Sequence, residues 1–259
     1  MSPDMEEELM EVVKNFSEAE FVKRVRRHFV VRDLDMPNPK FMCVGKVKNC
    51  IMLDDFSGIK IAYDACIDRD ASWDDAIAER GINVFAYDLA PNALPEMNPR
   101  IRRFKNGLTG KLDPAHPDLE TLPRLIEQNG HSNENNMLLK MDIEGAEYSV
   151  LQSIDAKTLK RFKQIVVEFH GLIYADLENV IGISIDKLNA THQLVHVHGN
   201  NGGKFIMRGG LLLPEMLECT YLRRSDYKFV ESTRFFPTPL DKPNRPHRPE
   251  INLGYWGRT

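Results

Sequence analysis

The residues best suited to chemistry in this chain are acidic and histidine side chains that follow short apolar runs. Asp142 follows an apolar run over residues 137–141, and Glu168 and His170 close a β-branched run over residues 164–167. Such runs are typical of strands buried on both faces of a parallel sheet. Open α/β folds bind ligands at the carboxyl ends of those strands. We therefore expect Asp142, Glu168 and His170 to gather at one edge of a sheet.

Proton transfer is the first chemistry that these side chains indicate. Near neutral pH the general base is best supplied by imidazole, which a carboxylate can orient. His170 and His198 both end predicted strands, so these two residues and Asp142 are the candidate catalytic residues. Two simpler interpretations stay open. Asp142 could serve only to cap the helix that follows it, and strand-end histidines often have a structural role.

Cation binding is the second chemistry that the same residues indicate. Carboxylate and imidazole groups together suit Mg²⁺, Mn²⁺ or Zn²⁺. Asp142, Glu168, His170 and His198 therefore also form a candidate site for a divalent metal ion. Their spacing in the sequence does not decide whether a metal is bound.

Oxygen-rich side chains beside the predicted strand ends indicate a ligand that carries hydroxyl groups. Glu144 and Glu168 supply carboxylates that accept hydrogen bonds, and Asn200 and Asn201 stand between two glycines. We predict that these four residues bind the substrate. A plain turn is the alternative interpretation for the asparagine pair.

The elements that must position these residues alternate between strands and helices. Strands are predicted over residues 58–63, 84–87, 101–104, 137–141, 164–168, 193–198 and 217–223. Helices are predicted from a capping box at Ser72 to Gly81, over residues 119–128, from Glu144 onward, and around residues 177–188. This order predicts an α/β fold with a doubly wound, mostly parallel sheet and an antiparallel end.

The first two predicted strands read as the nucleotide-binding half of such a sheet. Asp88 ends the second strand and comes about 20 residues after the first turn, where an acidic residue can accept hydrogen bonds from ribose hydroxyls. The pattern Gly-x-Gly-x-x-Gly does not occur in the chain. A nicotinamide-dependent dehydrogenase of the usual type is therefore not expected.

Three regions follow from the distribution of these signals. Residues 1–38 are predicted to form a helical N-terminal flank, with one helix starting near Ser2 and a second starting at a capping box at Ser17. Residues 39–235 are predicted to form the main domain. Residues 236–259, which are rich in proline, are predicted to form an extended arm packed on that domain.

Composition limits the class of protein. The 259-residue chain is 42% hydrophobic and 28% charged, as in ordinary globular domains, and its net charge of −4 argues against a general nucleic-acid binder. The chain has no apolar run of the ~18 residues that span a bilayer. Its first residues are acidic and its four cysteines are scattered, so we expect reduced thiols and a cytoplasmic location.

The central motif resembles a known family. The segment Leu139-Lys-Met-Asp-Ile-Glu-Gly-Ala-Glu147, followed by Ile165-Val-Val-Glu-Phe-His170, is similar to the FkbM-type branch of S-adenosylmethionine-dependent methyltransferases. The likeness continues upstream through Tyr87-Asp88 and downstream through His196-Val-His-Gly-Asn-Asn201. It covers about residues 40–255.

The resemblance implies a Rossmann-like methyltransferase fold and O-methylation of a sugar or polysaccharide precursor. It implies a small-molecule or glycan acceptor near Asp142, His170 and His198, and leaves the oligomeric state and any need for a metal open. The implied ligand of the first two strand ends is S-adenosylmethionine, with Asp88 on its ribose. The residues expected around this cofactor are Tyr63, Asp64, Cys66, Asp68, Asp88 and Asp142.

The turn after the first predicted strand departs from the family pattern. Relatives carry a turn of the form Gly-Ile-Gly, whereas this chain has Cys66-Ile67-Asp68. Glycine allows a backbone to approach a ligand closely and to adopt positive φ. The alternative function is therefore a catalytically inactive relative that binds a nucleotide-like ligand or a partner protein.

Overall fold

A computed structural model describes residues 17–46, 50–66, 71–89 and 98–257. In chain order, its strands are β1 (Arg32–Leu34), β2 (Phe41–Val44), β3 (Cys50–Leu53), β4 (Ile61–Cys66), β5 (Asn83–Tyr87), β6 (Ile101–Phe104), β7 (Gly107–Leu108), β8 (Leu119–Glu120), β9 (Met137–Asp142), β10 (Phe162–Phe169), β11 (His192–Gly199), β12 (Phe205–Arg208), β13 (Leu211–Pro214), β14 (Leu217–Arg223), β15 (Phe229–Glu231), β16 (Phe235–Phe236) and β17 (Gly254–Tyr255). The helices are α1 (17–26), α2 (Ser72–Ala78), α3 (Leu122–Gln128), α4 (Glu147–Ser153), α5 (Ala156–Leu159) and α6 (Glu178–Asn189).

A seven-stranded sheet in the order β11-β14-β10-β9-β4-β5-β6 forms the centre of the fold. Five adjacent strands of this sheet, β6, β5, β4, β9 and β10, are parallel. Strand β14 runs antiparallel to both of its neighbours, β10 and β11. One core cluster packs α1, α3, α4 and α6 against one face, and a second packs α2 and the β2–β3 hairpin against the other. The predicted α/β class, with a doubly wound and mostly parallel sheet, is confirmed.

Successive side chains of β9 belong alternately to the two core clusters on either face of the sheet. Leu139 and Met141 belong to the cluster on the α4 side, and Leu138 belongs to the cluster on the α2 side. Because successive side chains of a strand point to opposite faces, Lys140 and Asp142 point to the same side as Leu138. The polar groups of the central strand therefore face the α2 side of the sheet.

The predicted strands are confirmed, two of them at their bounds. β6 and β14 begin and end where the sequence places them, whereas β4 begins and ends three residues later than predicted. The helix predicted over residues 119–128 is shorter, because α3 follows the short strand β8.

Two helix starts were predicted wrongly. The helix expected from Glu144 begins at Glu147, because Glu144 (φ 56°) and Gly145 (φ 104°) have left-handed backbone conformations that no α-helix accepts. The capping box at Ser72 is absent: Ser72 is the first residue of α2, and its Oγ accepts a hydrogen bond from the backbone of Lys46 at 2.7 Å.

Both ends of the described chain contribute to the main core. α1 supplies Phe21, Val22 and Val25, and Trp256 near the C-terminus is buried in the same cluster. The guanidinium of Arg26 lies 3.9 Å from the centre of the Trp256 ring. The predicted second N-terminal helix is confirmed, and the first falls in residues 1–16, outside the described part of the chain. Among the described residues, every helix is too short or too polar to cross a membrane.

Candidate active site

The turn after β9 is closed by one buried carboxylate. Glu147 has no exposed surface, and its Oε1 accepts hydrogen bonds from the backbone N–H of Ile143 at 2.9 Å and of Gly145 at 3.3 Å. Glu144, at the tip of the turn, holds the left-handed conformation that this closure requires. The side chain of Glu147 thus fixes the path of the chain just beyond Asp142.

The same oxygen orients His170, which follows β10. Nδ1 of His170 lies 3.0 Å from Oε1 of Glu147. Nε2 points the other way, 3.7 Å from Oδ1 of Asp142 and 3.6 Å from Oε2 of Glu144. Burial acts to lower the pKa of His170, but the hydrogen bond to Glu147 and the charges of Glu147, Glu168 and Asp142 raise it to about 9.

Asp142, Glu168 and His170 converge as the sequence predicted. One ligand atom from each lies within 4.8 Å of the other two, and Asp142 and Glu168 are buried. The register explains the meeting: Val167 pairs with Met141, so Glu168 stands beside Asp142 on the neighbouring strand. Among the sequence-predicted substrate residues, Glu144 lies next to this cluster.

Polar side chains continue the row across the sheet. Cys66 pairs with Asp142, Glu168 pairs with Glu218, and Glu218 pairs with His198. Side chains of paired residues share a face, and a small pocket lined by Asp142, Glu168 and Glu218 lies along the row. Glu218, which the sequence analysis missed, stands between the predicted residues of β10 and β11.

His198 lies at the far end of the row, between two carboxylates. Its Nδ1 is 2.8 Å from Glu218 and its Nε2 is 3.2 Å from Glu250. Burial acts to lower the pKa of His198, but the hydrogen bond to Glu218 and nearby charges raise it to about 9. Because the residue is wholly buried and both ring nitrogens are engaged, the ring ties Glu250 to the sheet and presents neither nitrogen to an acceptor.

Asn200 and Asn201 have different surroundings. The amide nitrogen of Asn200 donates to Oε1 of Glu168 and so orients a member of the cluster. The amide of Asn201 donates to the backbone carbonyls of Arg245, Arg248 and Pro249. Asn201 therefore holds the backbone of residues 245–249 in place, and of the two asparagines only Asn200 reaches the cluster.

The residues predicted around the cofactor divide between the two faces of the sheet. Tyr63 points to the α3 side, where its hydroxyl lies 2.7 Å from Nδ1 of His131. Cys66 Sγ points to the other side and donates to Oδ2 of Asp142 at 3.7 Å. Asp88 is half-buried just beyond β5, and Asp68 lies outside the described residues.

A second charged cluster lies on the α2 side beneath the end of β4. Lys140 Nζ is 3.0 Å from Oδ1 of Asp64, and both side chains are buried. Asp74 of α2 lies beside Asp64 and 3.1 Å from Arg103. Burial, and then the charge of Asp64, raise the pKa of Asp74 to about 8. The sequence analysis missed this cluster, although Lys140 inside an otherwise apolar run is a signal that could have indicated it.

Residues 96–207 match the family model described as the methyltransferase FkbM domain. The match covers somewhat less than half of the chain and includes β9, β10 and the Asp142, Glu168 and His170 cluster. None of the curated proteins matches this chain by sequence. The prediction of a methyltransferase is confirmed by the domain match.

Several solved structures are similar to part of this chain at low identity. A proposed DNA modification methyltransferase from an E. coli prophage has 8% identity and a TM-score of 0.42, over 64% of this chain and 47% of that one. A Burkholderia thailandensis 1,6-didemethyltoxoflavin-N1-methyltransferase with bound S-adenosylhomocysteine has 13% identity and a TM-score of 0.32, over 64% of this chain and 71% of that one. The 16S rRNA (adenine(1408)-N(1))-methyltransferase of Catenulisporales acidiphilia has 14% identity and a TM-score of 0.32, over 72% of this chain and 98% of that one.

These likenesses are too weak to carry a functional argument. The chain spans about half of the length of the E. coli protein. Methyl transfer is indicated by the FkbM-domain match, and the matched region includes the side chains that gather at the carboxyl edge of the sheet.

Proposed function

We propose that this protein transfers a methyl group from S-adenosylmethionine to a hydroxyl group of a sugar or polysaccharide precursor. The observation that carries the proposal is the convergence of Asp142, Glu168 and His170 at the carboxyl edge of the sheet, within the region that matches the FkbM domain. That edge is where open α/β sheets bind their ligands.

The cofactor is proposed to lie over the ends of β4 and β5. Asp88 stands at the end of β5 and is half-buried, so its carboxylate can accept charge-assisted hydrogen bonds from ribose hydroxyls. Asp142 on β9 adjoins β4 through its pairing with Cys66. Its carboxylate is therefore at the boundary between the cofactor side and the acceptor side, where a negative charge attracts a sulfonium.

The acceptor is proposed to bind over β9 and β10. Ionised carboxylates accept hydrogen bonds from several hydroxyls at once, which favours a polyhydroxylated ligand over an apolar one. Methyl transfer also releases the proton of the attacked hydroxyl, and this proton needs a polar path. The cluster of Asp142, Glu168 and His170 is the proposed place of that proton loss. His198 has no part in it, because both of its ring nitrogens lie on carboxylates.

Calorimetry with S-adenosylmethionine and S-adenosylhomocysteine tests the first part of the proposal. Both ligands should bind the full-length protein, and binding of neither at millimolar concentration would support the inactive relative. Transfer of labelled methyl to a panel of sugars and nucleotide sugars tests the second part. Label that appears only on nucleic acid or on free amines would exclude the sugar acceptor.

His170→Gln tests the site itself. Transfer should fall by roughly a hundredfold or more, the usual scale for loss of an acid–base group, while affinity for S-adenosylhomocysteine stays unchanged. His116→Gln is the matched control, because His116 is exposed and lies outside the cluster. Equal rates in the two variants would remove His170 from the reaction.

A further inference from the structure

We propose that Asp142, Glu168 and His170 bind a divalent cation, with Glu147 as the outer carboxylate that orients the histidine. The binding site is argued from side-chain geometry, whereas the cation's part in catalysis rests on the proposed function. The site brings together one imidazole and two carboxylates from two adjacent parallel strands and the residue that follows one of them.

The spacing of the three residues suits one ion. Their ligand atoms lie within 4.8 Å of one another, and Nε2 of His170 is 3.7 Å from Oδ1 of Asp142. Divalent ions hold nitrogen and oxygen ligands at about 2.0–2.2 Å, which separates neighbouring ligand atoms by roughly 3–4 Å. Small side-chain rotations therefore bring all three atoms into coordination distance.

The orientation of the histidine is the second observation. Nδ1 faces Glu147, so Nδ1–H donates to that carboxylate and the lone pair of Nε2 points at Asp142 in the neutral ring. Metal-binding histidines almost always donate their other ring N–H to a carboxylate or carbonyl in this way. Glu147 is itself held by two backbone N–H groups of the turn after β9, which fixes the ring in place.

The charges of the buried side chains point to the same ligand. Asp142, Glu168 and Glu147 are three buried carboxylates around one imidazole. Buried carboxylates are stabilised by nearby positive charge, so this group of side chains attracts a divalent ion.

The donor set favours a hard ion with open coordination positions. Two carboxylates and one imidazole suit Mn²⁺ or Mg²⁺, and three protein ligands leave positions for the acceptor hydroxyl. Bound there, the hydroxyl loses its proton more readily, as metal-bound water does. The alkoxide oxygen then forms a bond to the methyl carbon. The carbon–sulfur bond breaks with its electron pair on sulfur, and the sulfonium becomes a neutral thioether.

The proton leaves through Glu144 in this scheme. Its carboxylate is 3.6 Å from Nε2 of His170 and its side chain is 63% exposed, so it connects the cluster to solvent. The balance is complete: one hydroxyl proton goes to solvent, and the sulfonium charge disappears with the transferred methyl.

Manganese binding to the EDTA-treated, full-length protein is the direct test. Loss of the free Mn²⁺ signal in electron paramagnetic resonance should show one site, and Mg²⁺ should compete for it. Asp142→Asn, Glu168→Gln and His170→Gln should each weaken binding at least tenfold, and Glu147→Gln by roughly 10–100-fold. His196→Gln is the matched control, since His196 is another buried histidine paired with a carboxylate, Asp241.

A measurement on the wild type guards against variants that fail to fold. Mn²⁺ should broaden the ring resonances of His170 in the nuclear magnetic resonance spectrum more strongly than those of His196, which lies on β11, two strands away from β10. No binding at millimolar Mn²⁺, or binding that persists in Asp142→Asn and Glu168→Gln, would overturn the site.

The two proposals fail in different ways. If the protein binds S-adenosylhomocysteine and transfers methyl groups at full rate in excess EDTA, the catalytic role of the cation is wrong and the methyltransferase stands. If Mn²⁺ binds at the cluster but neither cofactor form binds, the cation site stands and the proposed function is wrong.

Discussion

Oε1 of Glu147 lies 3.0 Å from Nδ1 of His170, which joins the turn after β9 to the end of β10. The same oxygen accepts the backbone N–H groups of Ile143 and Gly145. One wholly buried carboxylate thus sets the positions of two neighbouring strand ends. The distance between Asp142 and His170 therefore depends on this residue.

Glu147→Ala should destabilise the protein strongly. The change leaves the buried backbone N–H of Ile143, the partly buried N–H of Gly145 and one imidazole N–H without their acceptor, and each buried unsatisfied donor costs about 1–3 kcal/mol. We expect a loss of about 3–5 kcal/mol in the free energy of unfolding in urea. Glu144→Gln is the control in the same turn, because its side chain is 63% exposed; it should change stability by less than about 0.5 kcal/mol. Equal stability of the two variants would contradict the role given to Glu147.

Asp88→Ala should weaken cofactor binding and leave the fold intact. Lost charge-assisted hydrogen bonds to ribose cost about 1.5–3 kcal/mol, or roughly ten- to a hundredfold in Kd for S-adenosylhomocysteine. Asp54→Ala is the control, since Asp54 is exposed and follows the last residue of β3. That last residue, Leu53, contacts Gln164 near the start of β10, away from the carboxyl edge of the sheet. A Kd that is the same in wild type and Asp88→Ala would move the ribose away from the end of β5.

Lys140→Met alone should lower the stability of the protein strongly, and combining it with a change of its partner Asp64 should restore much of that stability. The single change leaves Asp64 as a buried carboxylate without its 3.0 Å ammonium contact, which costs about 3–5 kcal/mol. Asp64→Leu combined with Lys140→Met should recover much of the loss, because an apolar pair has no charge to desolvate. Urea unfolding of the two single variants and the double variant measures the coupling. If the stability loss of the double variant equals the sum of the losses of the two single variants, Lys140 and Asp64 are not energetically coupled.

His192 should make the protein lose stability in acid. Burial lowers the pKa of His192 to about 4, and the ring donates to the carbonyl of Phe162 at 2.9 Å. Between about pH 6.5 and 4 the unfolded chain binds a proton that the folded protein excludes, so stability falls as the pH falls through this range. The slope is about 1.4 kcal/mol per pH unit.

The control for this prediction is the difference between wild type and His192→Gln. The variant should lack this part of the acid dependence, whereas His116→Gln, at an exposed position, should keep it. Parallel stability curves for wild type and His192→Gln from pH 7 to 4 would show that this histidine does not titrate as proposed.

Much of the framework was predictable from local pattern. A strand buried on both faces reads as an apolar run, so the strands that carry Asp142, Glu168 and His198 were found close to their bounds. Parallel strands share a carboxyl edge, so the meeting of Asp142, Glu168 and His170 followed from the order of the elements. The FkbM-like motif added the reaction class, which the domain match confirms.

The partners of those side chains were decided by the tertiary structure. His198 looks like a candidate base in the sequence, but Glu218 of β14 and Glu250, 52 residues further along the chain, occupy its two nitrogens. Glu147 reads as a helix-start carboxylate, and only the fold shows that it holds His170. Side-chain alternation repeats every two residues and is local, whereas strand register and the path of an arm depend on contacts between distant segments. The sequence therefore determined which residues reach the edge of the sheet, and packing determined which of them can meet a ligand.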